Sequence, residues 1–312
     1  MTCHFGLNTL QFLESQPALQ RESFFNAIFN NLSGLMITDV TGIILKVNAA
    51  FCEMSGYSVS ELVGQTPRLL RSGRHDQEFY RAMFNKLADS GQWSGEVWDR
   101  HKNGQLFLKW SRIHAIKDNT GSITHYIANY VDITAEYQAQ DKIHQLAFYD
   151  QLTSLPNRNL LLETTEQLQQ QALLKSNWGA LLLLNLDNFK LINDQFGYSL
   201  GDQYLRDFAA ALQSTLPPQH SLGRLDSDQF VILQPAVHDS PAQSLAAAKN
   251  LLQSVKHCLG LIQIQGKKQH ITARSGLTLF GGSHQSAAEL LRQAELALQQ
   301  AKHQGRNKNC LY

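Results

Sequence analysis

Ala180-Leu181-Leu182-Leu183-Leu184-Asn185-Leu186-Asp187-Asn188-Phe189-Lys190-Leu191-Ile192-Asn193-Asp194 decides the architecture of the second half of the chain. Its unbroken apolar run predicts a strand over residues 179–186, buried on both faces. The run ends on a carboxylate, and helical periodicity takes over across 189–196. A carboxylate at the end of a buried strand faces the mouth of the sheet, where sites in such folds gather. Taken alone, Asp187 reads equally well as an N-cap of the next helix. Outward from this stretch, helices over 160–174, 202–212, 244–259 and 287–303 alternate with a hairpin over 223–234 and a strand over 271–279. That order predicts an α/β layout, a central sheet surrounded by helices.

The first half has another rhythm. Short strands over 35–39 and 43–47 flank Val40-Thr41-Gly42. A helical stretch carrying Phe51 and Met54 stops at Gly56, and a helix over 78–89 closes near Gly91. Strands over 95–100, 106–115 and 124–133 follow, separated by Lys102-Asn103-Gly104 and Asn119-Thr120-Gly121. Asn-Gly is a strong hairpin signal. The expected fold is a five-stranded antiparallel sheet with flanking helices, an α+β unit. An amphipathic helix over 22–32, with Phe24, Phe25, Ile28, Phe29 and Leu32 at helical spacing, is expected before it. Residues 1–20 form a weakly patterned extension. Residues 135–147 read as a polar helical linker with Tyr137, Ile143, Leu146 and Ala147 as its few apolar positions. It is a plain connector or a short parallel coiled coil pairing two chains. The expected domains are therefore 21–134 and 148–312.

Bulk properties agree with two soluble globular domains. The chain has 312 residues, 43% hydrophobic and 17% charged, with a formal net charge of +1. Such balance gives no global reason to bind nucleic acid or an anionic membrane surface. Cys3, Cys52, Cys258 and Cys310 are scattered, without disulfide or zinc spacing. No apolar run approaches a membrane span, and the first residues do not read as a secretory signal. The expectation is a cytoplasmic protein, or a fragment of a membrane-anchored parent.

Ile37-Thr38-Asp39, Val47-Asn48-Ala49-Ala50-Phe51, Ser55-Gly56-Tyr57, Glu61-Leu62-Val63-Gly64, Gly95-Glu96-Val97-Trp98, Lys102-Asn103-Gly104 and Asp132-Ile133-Thr134 together resemble a PAS domain over about residues 21–134. The resemblance implies sensing of a ligand or redox state, or dimerisation. Pro67 stands where light-sensing flavin relatives carry a reactive cysteine, so a flavin–thiol adduct is not supported. Asp99 and Lys109 fall where amide side chains usually hold the flavin ring. His75 and His101 are conceivable haem ligands, although a histidine in a polar stretch is usually just solvated. The ligand is left unknown, with no cofactor favoured.

The second half resembles a GGDEF domain, the diguanylate cyclase family. The resemblance rests on Asp150-Gln151-Leu152-Thr153-Ser154-Leu155-Pro156-Asn157-Arg158, on Leu186 to Asp194 with Phe196-Gly197 and Gly201-Asp202, and on Ala301-Lys302-His303-Gln304-Gly305-Arg306-Asn307. Ser154 stands where glycine is common, and Tyr198 where histidine is usual. The resemblance implies GTP held with magnesium, and two domains meeting to make cyclic di-GMP. By the same resemblance Asp187 and Asp228 are metal carboxylates, with Asp228 also the catalytic residue of the signature turn. Lys190, Lys302 and Arg306 contact phosphate, where cations offset the triphosphate charge. Asn193 and Asp202 read guanine.

The signature turn departs from the pattern. In place of Gly-Gly-Asp-Glu-Phe the chain has Asp226-Ser227-Asp228-Gln229-Phe230. If the glycine positions keep left-handed geometry, each replacement costs about 1–2 kcal/mol. Asp226 adds negative charge near a polyanion. Gln229 keeps the shape of glutamate but is neither base nor anionic ligand, and such a loss commonly costs a factor of about 10²–10⁴ in rate. Pro217-Pro218-Gln219-His220 replaces an Arg-x-x-Asp inhibitory product site, so none is expected. Arg274 stands where serine is usual.

The leading expectation is a signalling module with a degenerate, non-cyclising GGDEF domain that binds GTP and magnesium and relays the PAS state. A weak but active diguanylate cyclase and a dimerisation adaptor that binds no nucleotide are the alternatives. A homodimer through the PAS domain and linker is expected. So is a downstream phosphodiesterase-type domain, often found after degenerate GGDEF domains and absent from this chain.

Overall fold

The computed structural model describes Phe29 and residues 33–264, 267–268 and 271–312. The expected 1–20 extension and, apart from Phe29, the expected helix over 22–32 lie outside the described residues. The chain separates into two compact units, with the boundary between Gln140 and Asp141.

In the first unit β1 (Gly34–Asp39), β2 (Ile44–Val47), β3 (Gln92–Arg100), β4 (Leu106–Lys117) and β5 (Ile123–Asp132) form one sheet in the order β2-β1-β5-β4-β3. Every pairing is antiparallel. Two of its turns use the same device. Asp39 Oδ1 accepts from the N–H groups of Thr41 and Ile43, at 2.8 and 2.9 Å. Asp118 Oδ1 accepts from those of Thr120 and Ser122, at 2.8 and 3.0 Å. In each case the following glycine, Gly42 or Gly121, takes positive φ, so Asp-x-Thr-Gly is a turn-forming unit used twice. Helices α1 (Ala49–Ser55), α2 (Val59–Leu62) and α3 (Gln77–Ser90) flank the sheet. Asn48 caps α1 by accepting from Phe51 N at 2.9 Å, and this sets Phe51 against Met36, Leu62 and Tyr130 in the core.

α4 (Thr134–Phe148) follows, with no buried residue; Tyr137, Ile143 and Leu146 are exposed. The second unit contains β6 (Trp178–Leu186), β7 (Ser221–Asp226), β8 (Gln229–His238), β9 (Gln263–Ile264), β10 (Lys267–Lys268), β11 (Ala273–Phe280) and β12 (Asn309–Leu311). Its helices are α5 (Arg158–Lys175), α6 (Phe189–Phe196), α7 (Tyr198–Thr215), α8 (Pro241–Leu261) and α9 (Ala287–His303). The main sheet runs β12-β11-β6-β8-β7, with β6 at its centre. β6 is buried on both faces, as its leucine run requires. Its even-numbered residues, Ala180 to Leu186, meet α6, α7 and α8 through Phe189, Phe208 and Val255. Its odd-numbered Leu181 and Leu183 meet α5 and α9 through Leu161, Leu290 and Leu298. One strand thus divides two helical layers, the arrangement expected from sequence. The parallel pairing of β12 with β11 is additional.

Candidate functional site

The central strand delivers Asp187 to one end of the sheet. Its side chain caps no helix: the N-cap position of α6 is Asn188, which is left-handed at φ 59° and makes no side-chain cap. The carboxylate instead turns toward β11 and the C-terminal segment. Oδ2 accepts from Thr272 Oγ1 at 2.5 Å and from Asn307 N at 3.1 Å. Oδ1 forms an ion pair with Arg274 Nε. The Asp187 side chain is 2% exposed and that of Arg274 20%. This contact is an attraction of charges rather than a well-aligned hydrogen bond, since neither atom finds a directional partner.

The signature turn lies beside it. Leu186 N donates to Asp228 O at 3.1 Å, and Asn185 stands opposite Gln229 in register. The expected left-handed strain is not there, because neither Asp226 nor Ser227 has positive φ. The β7–β8 register slips between Arg224 and Asp226, and Asp226 Oδ1 accepts from Ser227 N at 2.7 Å, so the chain reverses without left-handed backbone. Ser154, which also stands where glycine is common, does take left-handed geometry, at φ 57°. Burial is the largest influence on the half-buried Asp228 and holds its carboxyl above the usual range; the Asn185 amide and the Lys302 charge act the other way.

Arg224 locks this turn from behind. Its Nη2 and Nε donate to Ser227 O at 2.6 and 3.2 Å, and its Nη1 pairs with Asp150 Oδ1 at 2.8 Å. Thr153 donates to the same carboxylate oxygen from its backbone N–H and its hydroxyl, at 2.9 and 2.7 Å. Burial works against the charge of Asp150, but the Thr153 and Arg224 contacts outweigh it and hold the carboxyl below the usual range. The Asp150 to Arg158 motif is thus a loop that presents an anion to the arginine of the signature hairpin.

The other expected site residues distribute around this end. Lys302, at the end of α9, acts electrostatically on Asp228. Arg306 donates to the Asn188 amide oxygen at 3.0 Å through Nη2, with that amide in its better-satisfied orientation. Asn193 packs against Gly201, so the end of α6 and the Gly201-Asp202 pair lie together, with Asp202 exposed. Lys190 is exposed on the first turn of α6. Sequence reading did not single out Thr272, Asn307 as a donor, or Lys256. Lys256 Nζ donates to Asn307 O at 3.2 Å; burial and Lys308 lower its pKa while Asp187 raises it.

A divalent cation here needs hard oxygen ligands with free lone pairs. Asp187 Oδ1 is buried against a guanidinium, and Oδ2 already accepts twice. Among the described residues no three His, Cys, Asp or Glu side chains gather into a metal-binding group. Magnesium bound with a nucleotide needs only one or two carboxylates; as folded, Asp187 is not free to be one of them, which leaves Asp228 alone of the expected pair.

The first unit holds a separate cavity of about 330 Å³, lined by Met36, Arg71, Asp99, Lys109, Ser111 and Tyr130 among others. Asp99 and Lys109, the pair at the flavin-contacting positions, form a buried ion pair at 2.6 Å. Lys109 Nζ also lies 4.0 Å from the Tyr130 ring centre. His75 accepts from Trp98 N at 2.9 Å and stacks on Phe79; His101 packs on Gly56 and accepts from Asn103 N at 3.1 Å. Both histidines have structural work.

Comparison with known proteins agrees with the two units. Residues 147–308 match the family described as diguanylate cyclase, GGDEF domain, and residues 32–135 match a PAS domain. The bifunctional diguanylate cyclase/cyclic di-GMP phosphodiesterase MucR of Pseudomonas aeruginosa is 36% identical over 179 residues, 57% of this chain and 25% of that protein. The cyclic di-GMP phosphodiesterase PdeR of Escherichia coli is 26% identical over 281 residues, 90% of this chain and 42% of that protein. This chain therefore spans less than half the length of either relative. The crystal structure of the coiled coil and GGDEF domain of DgcB from Caulobacter crescentus, in complex with c-di-GMP, superposes with a TM-score of 0.50 at 21% identity. It covers 58% of this chain and 93% of that one, a likeness of fold. Among the described residues no helix is long and apolar enough to cross a membrane.

Proposed function

Because this chain belongs to the diguanylate cyclase GGDEF family and carries a PAS domain ahead of that domain, we propose that it is a cyclic di-GMP signalling module that binds GTP without cyclising it. The observation that carries this reading is Gln229, which follows Asp228 and lies opposite Asn185, two residues before Asp187, without a charge to accept a proton. The cations Lys190, Lys302 and Arg306 remain at this end of the domain, so triphosphate binding is kept where proton abstraction is lost. Asn193 and Asp202 read the guanine edge. The module passes the state of its PAS domain to a partner or an output domain, and two copies pair through the PAS domain and the exposed apolar residues of α4.

Incubation with GTP and magnesium followed by chromatography tests it. The expected result is no cyclic di-GMP together with a thermal shift induced by GTP. Product formed in proportion to protein would overturn the reading. A weak cyclase is favoured by one observation, the absence of left-handed strain at Asp226 and Ser227. In that case Asp228→Ala abolishes the residual turnover.

A further inference from the structure

Asp187 is a buried anion, and a buried anion must be paired. The partner present is not a metal but a side chain of the same domain. Arg274 sits on β11 opposite Asn185 of β6 and reaches from there to Asp187 Oδ1. Guanidinium remains charged at any physiological pH and suits carboxylate pairing. The second oxygen is fixed by Thr272 and by the backbone of Asn307, so the carboxylate is held on every side.

The charges around it point the same way. Lys256 and Lys308 lie close enough for their charges to act on one another, and Lys256 feels Asp187. Arg306 faces Asn188, the neighbour of Asp187, and Lys302 acts on Asp228. With Asp187 neutralised from within, Lys256, Lys302, Lys308 and Arg306 stand at this end against the two remaining carboxylates, Asp226 and Asp228, without any divalent ion. A polyphosphate is then met by fixed guanidinium and ammonium groups.

We propose that Arg274 is the built-in counter-ion of Asp187, standing where a divalent cation would stand, and that the domain takes a guanine nucleoside triphosphate in its metal-free form. The nucleotide clause rests on the GTP-binding reading above; the counter-ion clause does not.

Two measurements on the full chain decide these clauses separately. Mn²⁺ is titrated by paramagnetic resonance, without nucleotide, into wild type, Asp187→Asn, Arg274→Ser and the double variant. Arg274→Ser is expected to bind Mn²⁺ at least about tenfold more tightly than wild type, a gain of about 1.4 kcal/mol that the added Asp187→Asn removes. Wild-type Mn²⁺ binding that depends on Asp187, or no gain in a folded Arg274→Ser, overturns the counter-ion. If the serine variant does not fold, Arg274→Gln, which retains bulk and hydrogen bonding, takes its place under the same criteria. If that also fails to fold, dependence of wild-type Mn²⁺ binding on Asp187 decides the matter alone.

In the second measurement GTP is titrated by calorimetry into wild type in EDTA and in excess Mg²⁺. Dissociation constants within about twofold of each other support metal-free binding; a larger loss in EDTA overturns it. Binding in neither buffer overturns the GTP-binding reading and the nucleotide clause with it, and leaves the counter-ion to the Mn²⁺ result.

Discussion

Arg224 holds two oxygens at once, the Asp150 carboxylate and the Ser227 carbonyl. Arg224→Ala leaves the partly buried Asp150 without its cation, and a loss of about 3 kcal/mol of stability is expected, at the low end for a broken buried pair. Denaturant unfolding followed at Trp178 checks it. The same pair predicts a pH response. The Asp150 carboxyl is held below its usual range in the folded chain, so its contribution is complete above the unfolded value of about 3.9 and is lost as pH falls through the folded value. The wild-type unfolding midpoint should fall on acidification below about pH 4, and Arg224→Ala should flatten that fall. At this scale much of the site was legible. Asp187 at a strand end and Asp228 in a hairpin follow from periodicity and turn position. The reach of Arg274 to Asp187 was not, because it depends on β11 lying beside β6, and periodicity does not fix sheet order. Nor was the backbone at Asp226 and Ser227, where a register slip replaced the left-handed residues that glycine would have supplied.

At the scale of elements, the fit of α9 on β11 is set by a missing side chain. A Cβ at Gly276 would come within 2.0 Å of the Ala294 carbonyl oxygen and 2.4 Å of Leu298 N, both backbone atoms that cannot rotate away. Gly276→Ala should therefore cost about 3 kcal/mol, the upper range for overpacking, by pushing α9 off the sheet. Thermal unfolding of the variant measures this, and an unchanged midpoint would show that the helix can shift freely. Apart from the one-turn α2, which was not read, the described helices were readable to within a few residues, and α9 at both ends, because apolar spacing is local. β12 was not readable: three residues with one half-buried side chain carry no period, and their strand character comes only from pairing with β11.

For the whole molecule, two cores built from separate stretches of chain predict two unfolding events. Calorimetry should resolve two transitions, and Gly276→Ala should move only the one that belongs to residues 141–312. A single transition in both proteins would contradict independent units. The two-part organisation was legible from the change of rhythm near Thr134, where short strands give way to a polar helix and then to longer alternating elements.

That polar helix has a thermodynamic character of its own. α4 is 15 residues long and buries none of them. Tertiary packing, the usual source of helical stability in proteins, is confined to its ends, where Tyr137 meets Trp98 at 5.4 Å and the Asn157 and Asn159 amides donate to Ala147 O, and an isolated helix of this length in water is marginal. Its helicity is therefore expected to be a population rather than a fixture, which amide exchange across residues 138–146 would measure. Ile143 at 67% exposure, with Tyr137 and Leu146, supplies the area through which that population is set. Any surface that covers these side chains winds the segment, and its removal lets the segment fray. On that expectation the stretch between the two cores would act as a rheostat, with helical order as its graded variable.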